Sequence, residues 1–130
     1  MAATKRKPGK PKPIKHAGDG TMNKAELAYL KEVLELRDDI PGKIRYEEIR
    51  FLLSPGDKAS GRKPIHFTPD FVVETEECFE IHEVKESLFS FKEDAKLKWK
   101  LMKEHYPCFK FILAIGKLKR DGGGWDLRAT

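Results

Sequence analysis

The 130-residue chain, with 39% hydrophobic and 36% charged residues, has the length of one domain around a single modest core. No apolar run approaches the ~20 residues of a bilayer span, and no hydrophobic segment follows the N-terminal positive charges. Neither a membrane protein nor a secreted one is therefore expected. The net charge of +5 is uneven: six of the 26 Lys/Arg lie in residues 1–16 without a single acid, leaving 20 basic against 21 acidic residues elsewhere.

Residues 1–20 are rich in Pro, Gly and Lys and cannot bury apolar surface, so they are expected to be disordered. Lys5, Arg6, Lys7, Lys10 and Lys12 would then form a mobile cationic arm suited to a polyanion such as DNA, through counterion release. A solubilising tail or a nuclear-import signal is the alternative. Residues 21–130 form the folded unit. Cys78 and Cys108 have no metal-ligand spacing, which points to free thiols in a reducing, cytoplasmic compartment.

"TMNKAELAYLKEVLELRDD" predicts a first helix over 23–38, with an apolar stripe of Leu27, Leu30 and Leu34 and with Val33 beside it. Asn23 and Glu26 have the spacing of a capping box, and Pro41–Gly42 end the segment. "KIRYEEIRFLL" alternates with period two but changes phase, which predicts one strand bulged near Glu47–Glu48. After a polar loop, "IHFTPDFVVE" predicts a second strand with Ile65, Phe67, Phe71 and Val73 on one face, Pro69 implying an edge position or a bulge there. "CFEIHEVKE" is the third, completing an antiparallel meander. Phe79, Ile81, Glu83 and Lys85 share one of its faces; Glu80, His82 and Val84 share the other.

"SFKEDAKLKWKLMKEHY" predicts a second helix over 90–106. Phe91, Ala95, Trp99, Met102 and Tyr106 form its core face, and Lys92, Lys96, Lys100 and Lys103 an adjacent basic stripe. "CFKFILAI" reads as a strand inside the sheet, and Trp125–Leu127 as a short closing strand. The expected class is α/β, in the order helix, three strands, helix, strand, with a mixed central sheet. "GGGW" lacks the Lys and Ser/Thr of a phosphate-binding loop, which argues against a nucleotide triphosphatase.

Glu83 and Lys85 stand where the rhythm of their strand asks for hydrophobes, and Asp70 stands at the Pro69 kink of the neighbouring strand. Strands about 4.8 Å apart let such carboxylates converge, and two hard oxygen donors with room for water suit Mg²⁺. Lys85 could reach a water or a phosphate oxygen beside that ion. Singly, each residue has a plainer reading: Glu83–Lys85 as an exposed ion pair, Asp70 as a turn residue, Glu26 as a helix cap.

Together, "TPDF…EIHEVKE" resembles the core of the PD-(D/E)xK nuclease superfamily, with Pro69-Asp70 and Glu83-Val84-Lys85 as its signature. Over roughly residues 22–126 the chain is similar to small phage and prophage proteins related to Holliday-junction resolvases of the endonuclease I type. The resemblance implies a restriction-endonuclease-like core and a Mg²⁺- or Mn²⁺-dependent DNA endonuclease. Asp70, Glu83 and the Val84 carbonyl would hold the metal, Lys85 would act on the attacking water, and Glu26 would be an additional acid. It also implies branched DNA as substrate, with paired cuts by a homodimer. The Lys58, Arg62, Lys63 loop and the Lys92 to Lys103 stripe would track the DNA backbone. An inactive DNA-binding or assembly module of the same fold, or a nicking or single-strand nuclease, are the alternatives.

Overall fold

The computed structural model describes residues 22–129; the five basic positions from Lys5 to Lys12 lie outside this range. A five-stranded mixed sheet forms the centre. It runs in the order β1 (Ile44–Tyr46), β4 (Phe71–Glu74), β5 (Phe79–Lys85), β6 (Lys110–Gly116) and β7 (Trp125–Ala129). Only the β5–β6 pair is parallel. A parallel neighbour needs a long crossover, which α2 (Glu93–His105) supplies. A second, two-stranded sheet pairs β2 (Phe51–Ser54) with β3 (Ile65–Phe67). The expected α/β class and mixed sheet are present, with β6 buried between β5 and β7.

Each face of the sheet is covered by a helix, and the strand alternation assigns residues to the two sides. Val72, Ile81, Phe111, Leu113 and Ile115 pack with Phe91, Trp99 and Met102 of the α2 segment, together with Leu53 and Phe67 of the small sheet. Tyr46, Phe71, Val73, Val84 and Ala114 pack instead with Tyr29 and Leu34 of the α1 (Lys24–Tyr29) segment. Trp99 and Tyr106 are thus packing residues, as their spacing predicts. Trp125, on edge strand β7, closes the α1 side by an edge contact with Tyr29 at 5.2 Å between centroids.

Four sequence expectations require correction. The first helix does not run to residue 38: α1 gives way to a single π-helical turn over Leu30–Leu34. Its buried stripe is also rotated, with Glu26, Tyr29 and Leu34 inside and Leu27 exposed. The cause is polar: Glu26 has partners inside, so a carboxylate occupies the face that hydrophobicity alone would give to leucine. Second, "KIRYEEIRFLL" is not one bulged strand but β1 and β2, in different sheets. Third, Phe67 and Phe71 pack on opposite sides of the molecule, and Ile65 is exposed, because β3 and β4 are likewise separate. The hairpin remains continuous but turns a corner, and its register advances by one residue between the halves. The second helix begins at Glu93, after a 3₁₀ turn over Leu88–Ser90, and not at residue 90.

The N-terminus of α1 is locally determined. The Asn23 side chain accepts from the Glu26 N–H at 2.8 Å, and Glu26 Oε1 accepts from the Asn23 N–H at 2.9 Å. Asn23→Ala is expected to lower stability by about 1 kcal/mol, measured from urea midpoints, with Asn23→Asp recovering most of the loss. Gly116 tightens the far end of β6: a Cβ there would stand 2.9 Å from the Glu86 carbonyl oxygen. A side chain at that position would therefore push on the backbone that follows Lys85.

Candidate metal centre

The carboxylates meet where the hairpin leaves the main sheet. Pro69 has no N–H for a ladder; it is fully buried and separates β3 from β4, so Asp70 stands free of strand pairing just before Phe71. Across from it, Glu47 follows β1 with a φ of 49°, a left-handed backbone unusual for a residue with a side chain. Its N–H donates to the Asp70 carbonyl at 3.0 Å, which holds that conformation. Glu26 arrives from α1. Carboxylate oxygens of Glu26, Glu47 and Asp70 lie within 4.8 Å of one another.

Asp70 joins this group to β5. The Asp70 N–H donates to Glu83 Oε1 at 3.1 Å, and the Val84 N–H donates to Asp70 Oδ2 at 2.8 Å. The residues of the sequence motif are therefore reciprocally bonded through backbone and side chain. Lys85 Nζ lies 3.7 Å from Glu83 Oε2 and 6.0 Å from the centroid of the Phe91 ring. Glu83 is buried and Lys85 mostly so, which sets the pair apart from an exposed surface bridge.

Glu26 serves as helix cap and as a member of the cluster at once. Its Oε1 accepts the Asn23 N–H and also the Tyr46 hydroxyl, the latter at 2.6 Å. The cap expected from the sequence is made while the carboxylate stays within 4.8 Å of the other two acids.

Electrostatically the site gathers Glu26, Glu47, Asp70 and Glu83 with one ammonium, Lys85, beside them. Burial, then the neighbouring Glu83 charge, pushes the Asp70 carboxyl up to about 9 against the pull of the Val84 N–H; Glu26 adds to the rise. Burial likewise pushes Glu83 up to about 7, opposed chiefly by the Lys85 ammonium. Carboxylates gathered out of water either take up protons or require a cation. The donor set is all hard oxygen, which fits Mg²⁺ or Mn²⁺. Asp70, Glu47 and Glu26 are placed to share one ion, with Glu83 beside Asp70.

A cleft of about 300 Å³ opens beside these groups, lined by Asn23, Ala25, Glu26, Val84, Lys85, Glu86 and Ser90. Lys58, Arg62 and Lys63 are exposed on the β2–β3 loop, with Arg62 3.7 Å from Asp57. Lys92, Lys96 and Lys100 are exposed along α2, Lys103 is half-buried, and Lys96 lies 3.5 Å from Glu93. His82 is a buried packing residue, bonded to Tyr29 and Glu80 on the side away from Glu83.

Glu47 is the site residue that sequence reasoning missed. Its signal was the phase change in "YEEIRF", which falls opposite Pro69-Asp70 in the same hairpin. Two breaks at matched height mark a corner, and a corner aims side chains that a bulge would leave in the sheet. Among the described residues, no helix is long and apolar enough to cross a membrane. In comparisons with known proteins, the chain matches no family model, no curated protein and no solved structure.

Proposed function

We propose that the chain is a Mg²⁺- or Mn²⁺-dependent DNA endonuclease with a restriction-endonuclease-like core. The observation that carries this reading is the meeting of Glu26, Glu47 and Asp70 within 4.8 Å, with Asp70 bonded to Glu83 and Lys85 close behind. The bent hairpin, the parallel β5–β6 pair and the α2 crossover support the fold assignment.

Asp70, Glu47, Glu26 and Glu83 would hold the ion, with the Val84 carbonyl as a further candidate donor. When bound, a divalent ion lowers the pKa of a coordinated water and neutralises charge on a phosphodiester. The chain's own contribution is positioning. Lys85 presents an ammonium at the cleft, where it can hold a phosphate oxygen or orient a water. Its contact with Glu83 and the Phe91 ring keeps the long side chain from sampling solvent. Tyr46 and the Asn23 N–H fix Glu26, and the Val84 N–H fixes Asp70, so the acids are oriented before any ion arrives. The exposed lysines of α2 and of the β2–β3 loop offer phosphate contacts that carry no sequence information. Branched DNA, cut in pairs by a homodimer, is the substrate this reading favours.

The test is a cleavage panel of four-way junction, flap, nicked, single-stranded and linear duplex DNA. Cleavage should require Mg²⁺ or Mn²⁺ and vanish in excess EDTA. Lys85→Ala should lower the rate by on the order of 100-fold while leaving the fold intact by circular dichroism. Undiminished cutting in EDTA would overturn the reading, and sedimentation of the protein with a junction would reveal the dimer.

A further inference from the structure

The 3₁₀ turn that links the site to α2 carries an aromatic ring into solvent. Phe89 is 90% exposed, the most exposed of the large hydrophobic residues among those described, and Leu88 beside it is 47% exposed. The turn is not a loose loop. Ser90 N–H donates to the Ser87 carbonyl and Phe91 N–H to the Leu88 carbonyl, both at 3.1 Å. Phe91, two residues on, is buried in the core under α2. Ser90 and Glu86, on either side of the tip, line the same cleft as Glu26 and Lys85. Phe89 thus sits in an ordered turn between two residues of the cleft lining, four residues after Lys85 and three before the exposed Lys92 in the chain, with its ring open to solvent.

We propose that Phe89 is a stacking platform for an unpaired nucleobase, and that the favoured DNA has unstacked nucleotides next to the phosphate in the cleft. This deepens the nuclease reading and rests on it. Every base offers a π face to an aromatic side chain, whereas in a continuous duplex those faces are occupied by neighbouring bases. The flanking lysines complement the phosphates of the same strand. An exposed phenylalanine would thus favour branch points, flaps and single-stranded tails over intact duplex without reading sequence. Phe89 is a specificity-determining residue in this arrangement, separate from the acids and from Lys85.

The experiment uses the full chain and two DNAs, a plain duplex and the same duplex with a short single-stranded tail. The first unpaired base of the tail is fluorescent 2-aminopurine. Binding is measured in Ca²⁺, and cleavage separately in Mg²⁺. Phe89→Ala is expected to weaken binding of the tailed DNA by about tenfold, to change duplex binding by less than about twofold, and to abolish the fluorescence quench on binding. Phe89→Trp should restore affinity and quench. Equal losses on both DNAs, or no loss on the tailed one, would overturn the platform. So would a dimer that becomes monomeric in Phe89→Ala, since the ring would then be an intersubunit contact. The two readings fail differently: a wild type that binds with a Phe89-dependent quench yet cuts neither DNA keeps the platform and sinks the nuclease. Cleavage of tailed DNA that Phe89→Ala leaves unchanged, with no binding loss, does the reverse.

Discussion

Asp70→Asn is expected to abolish DNA cleavage and, in the same protein, to raise the melting temperature of the metal-free state. The two effects have one cause. Asp70 is buried among Glu83, Glu26 and Glu47, and its carboxyl sits at about 9, against an ordinary 3.8. Glu83 sits at about 7, against 4.5. Both folded values lie above the unfolded ones, so the folded metal-free protein holds protons that the unfolded chain releases. Rising pH between 3.8 and about 9 therefore favours unfolding. Asparagine keeps an oxygen to accept the Val84 N–H but carries no charge to bury. We expect about 1–2 kcal/mol of stabilisation at pH 8, a rise in Tm on the order of 5 °C, and a flatter dependence of Tm on pH. On the proposed reading activity should fall by on the order of 1,000-fold or more, because a proposed ligand of the ion would be lost. Mg²⁺ at about a hundred times its Kd should stabilise the wild type by about 2.7 kcal/mol, and the Asn variant by much less. Scanning calorimetry at pH 6 and pH 8, with and without Mg²⁺, checks all of this. A variant less stable than the wild type, or equally stabilised by Mg²⁺, would show that the acids are not gathered around a cation.

The parts of this site that were legible in the sequence are the local ones. Asn23 and Glu26 are three residues apart, and their reciprocal bonds depend on little beyond α1 itself. Glu83 and Lys85 announced themselves by breaking an apolar alternation, and Asp70 by following a proline that no ladder could use. Glu47 was hidden because a phase change in one strand has two readings, bulge or corner, and only the partner strand decides between them. The first helix was misjudged for a related reason. Periodicity assigns the inner face to leucines, but Tyr29 and Glu26 have polar partners waiting inside, Tyr29 from β5 and Glu26 from the Asn23 cap and β1. The two strand partners, His82 and Tyr46, lie 53 and 20 residues away, and no window of helical length contains them. The exposed ring of Phe89 left no trace in periodicity either, since an isolated phenylalanine in a turn reads like any other until its exposure is known.

The same long-range kind of contact supplies the second large effect. Arg37, just beyond the π-helical turn, forks between two carboxylates: Asp39 at 2.8 Å, and Glu80 of β5 at 2.7 and 3.2 Å. Asp39 is mostly exposed, so solvent screens its share of the fork. Glu80 is buried, and hydrogen bonds from His82 and from Arg37 hold its carboxyl down at about 2. An ionised carboxylate only accepts, so the 3.0 Å contact with His82 Nε2 places the imidazole proton on that nitrogen. Burial depresses the His82 pKa, and the neutral ring leaves Nδ1 to accept the Tyr29 hydroxyl at 2.7 Å. One chain of polar contacts thus ties the segment after α1 to β5, and with it the lateral position of the helix that carries Glu26. Arg37→Met should cost about 3 kcal/mol at pH 7, because it leaves a buried charge uncompensated. Arg37→Met combined with Glu80→Gln should cost clearly less than the sum of the two single changes. The depressed Glu80 pKa gives the pH sign: its contribution is present above the ordinary 4.5 and is lost as pH falls toward about 2. The deficit of Arg37→Met relative to wild type should accordingly shrink between pH 6 and pH 3 in urea unfolding. If the single variants prove additive, or the deficit is the same at both pH values, Arg37 acts on stability by some route other than the Glu80 charge.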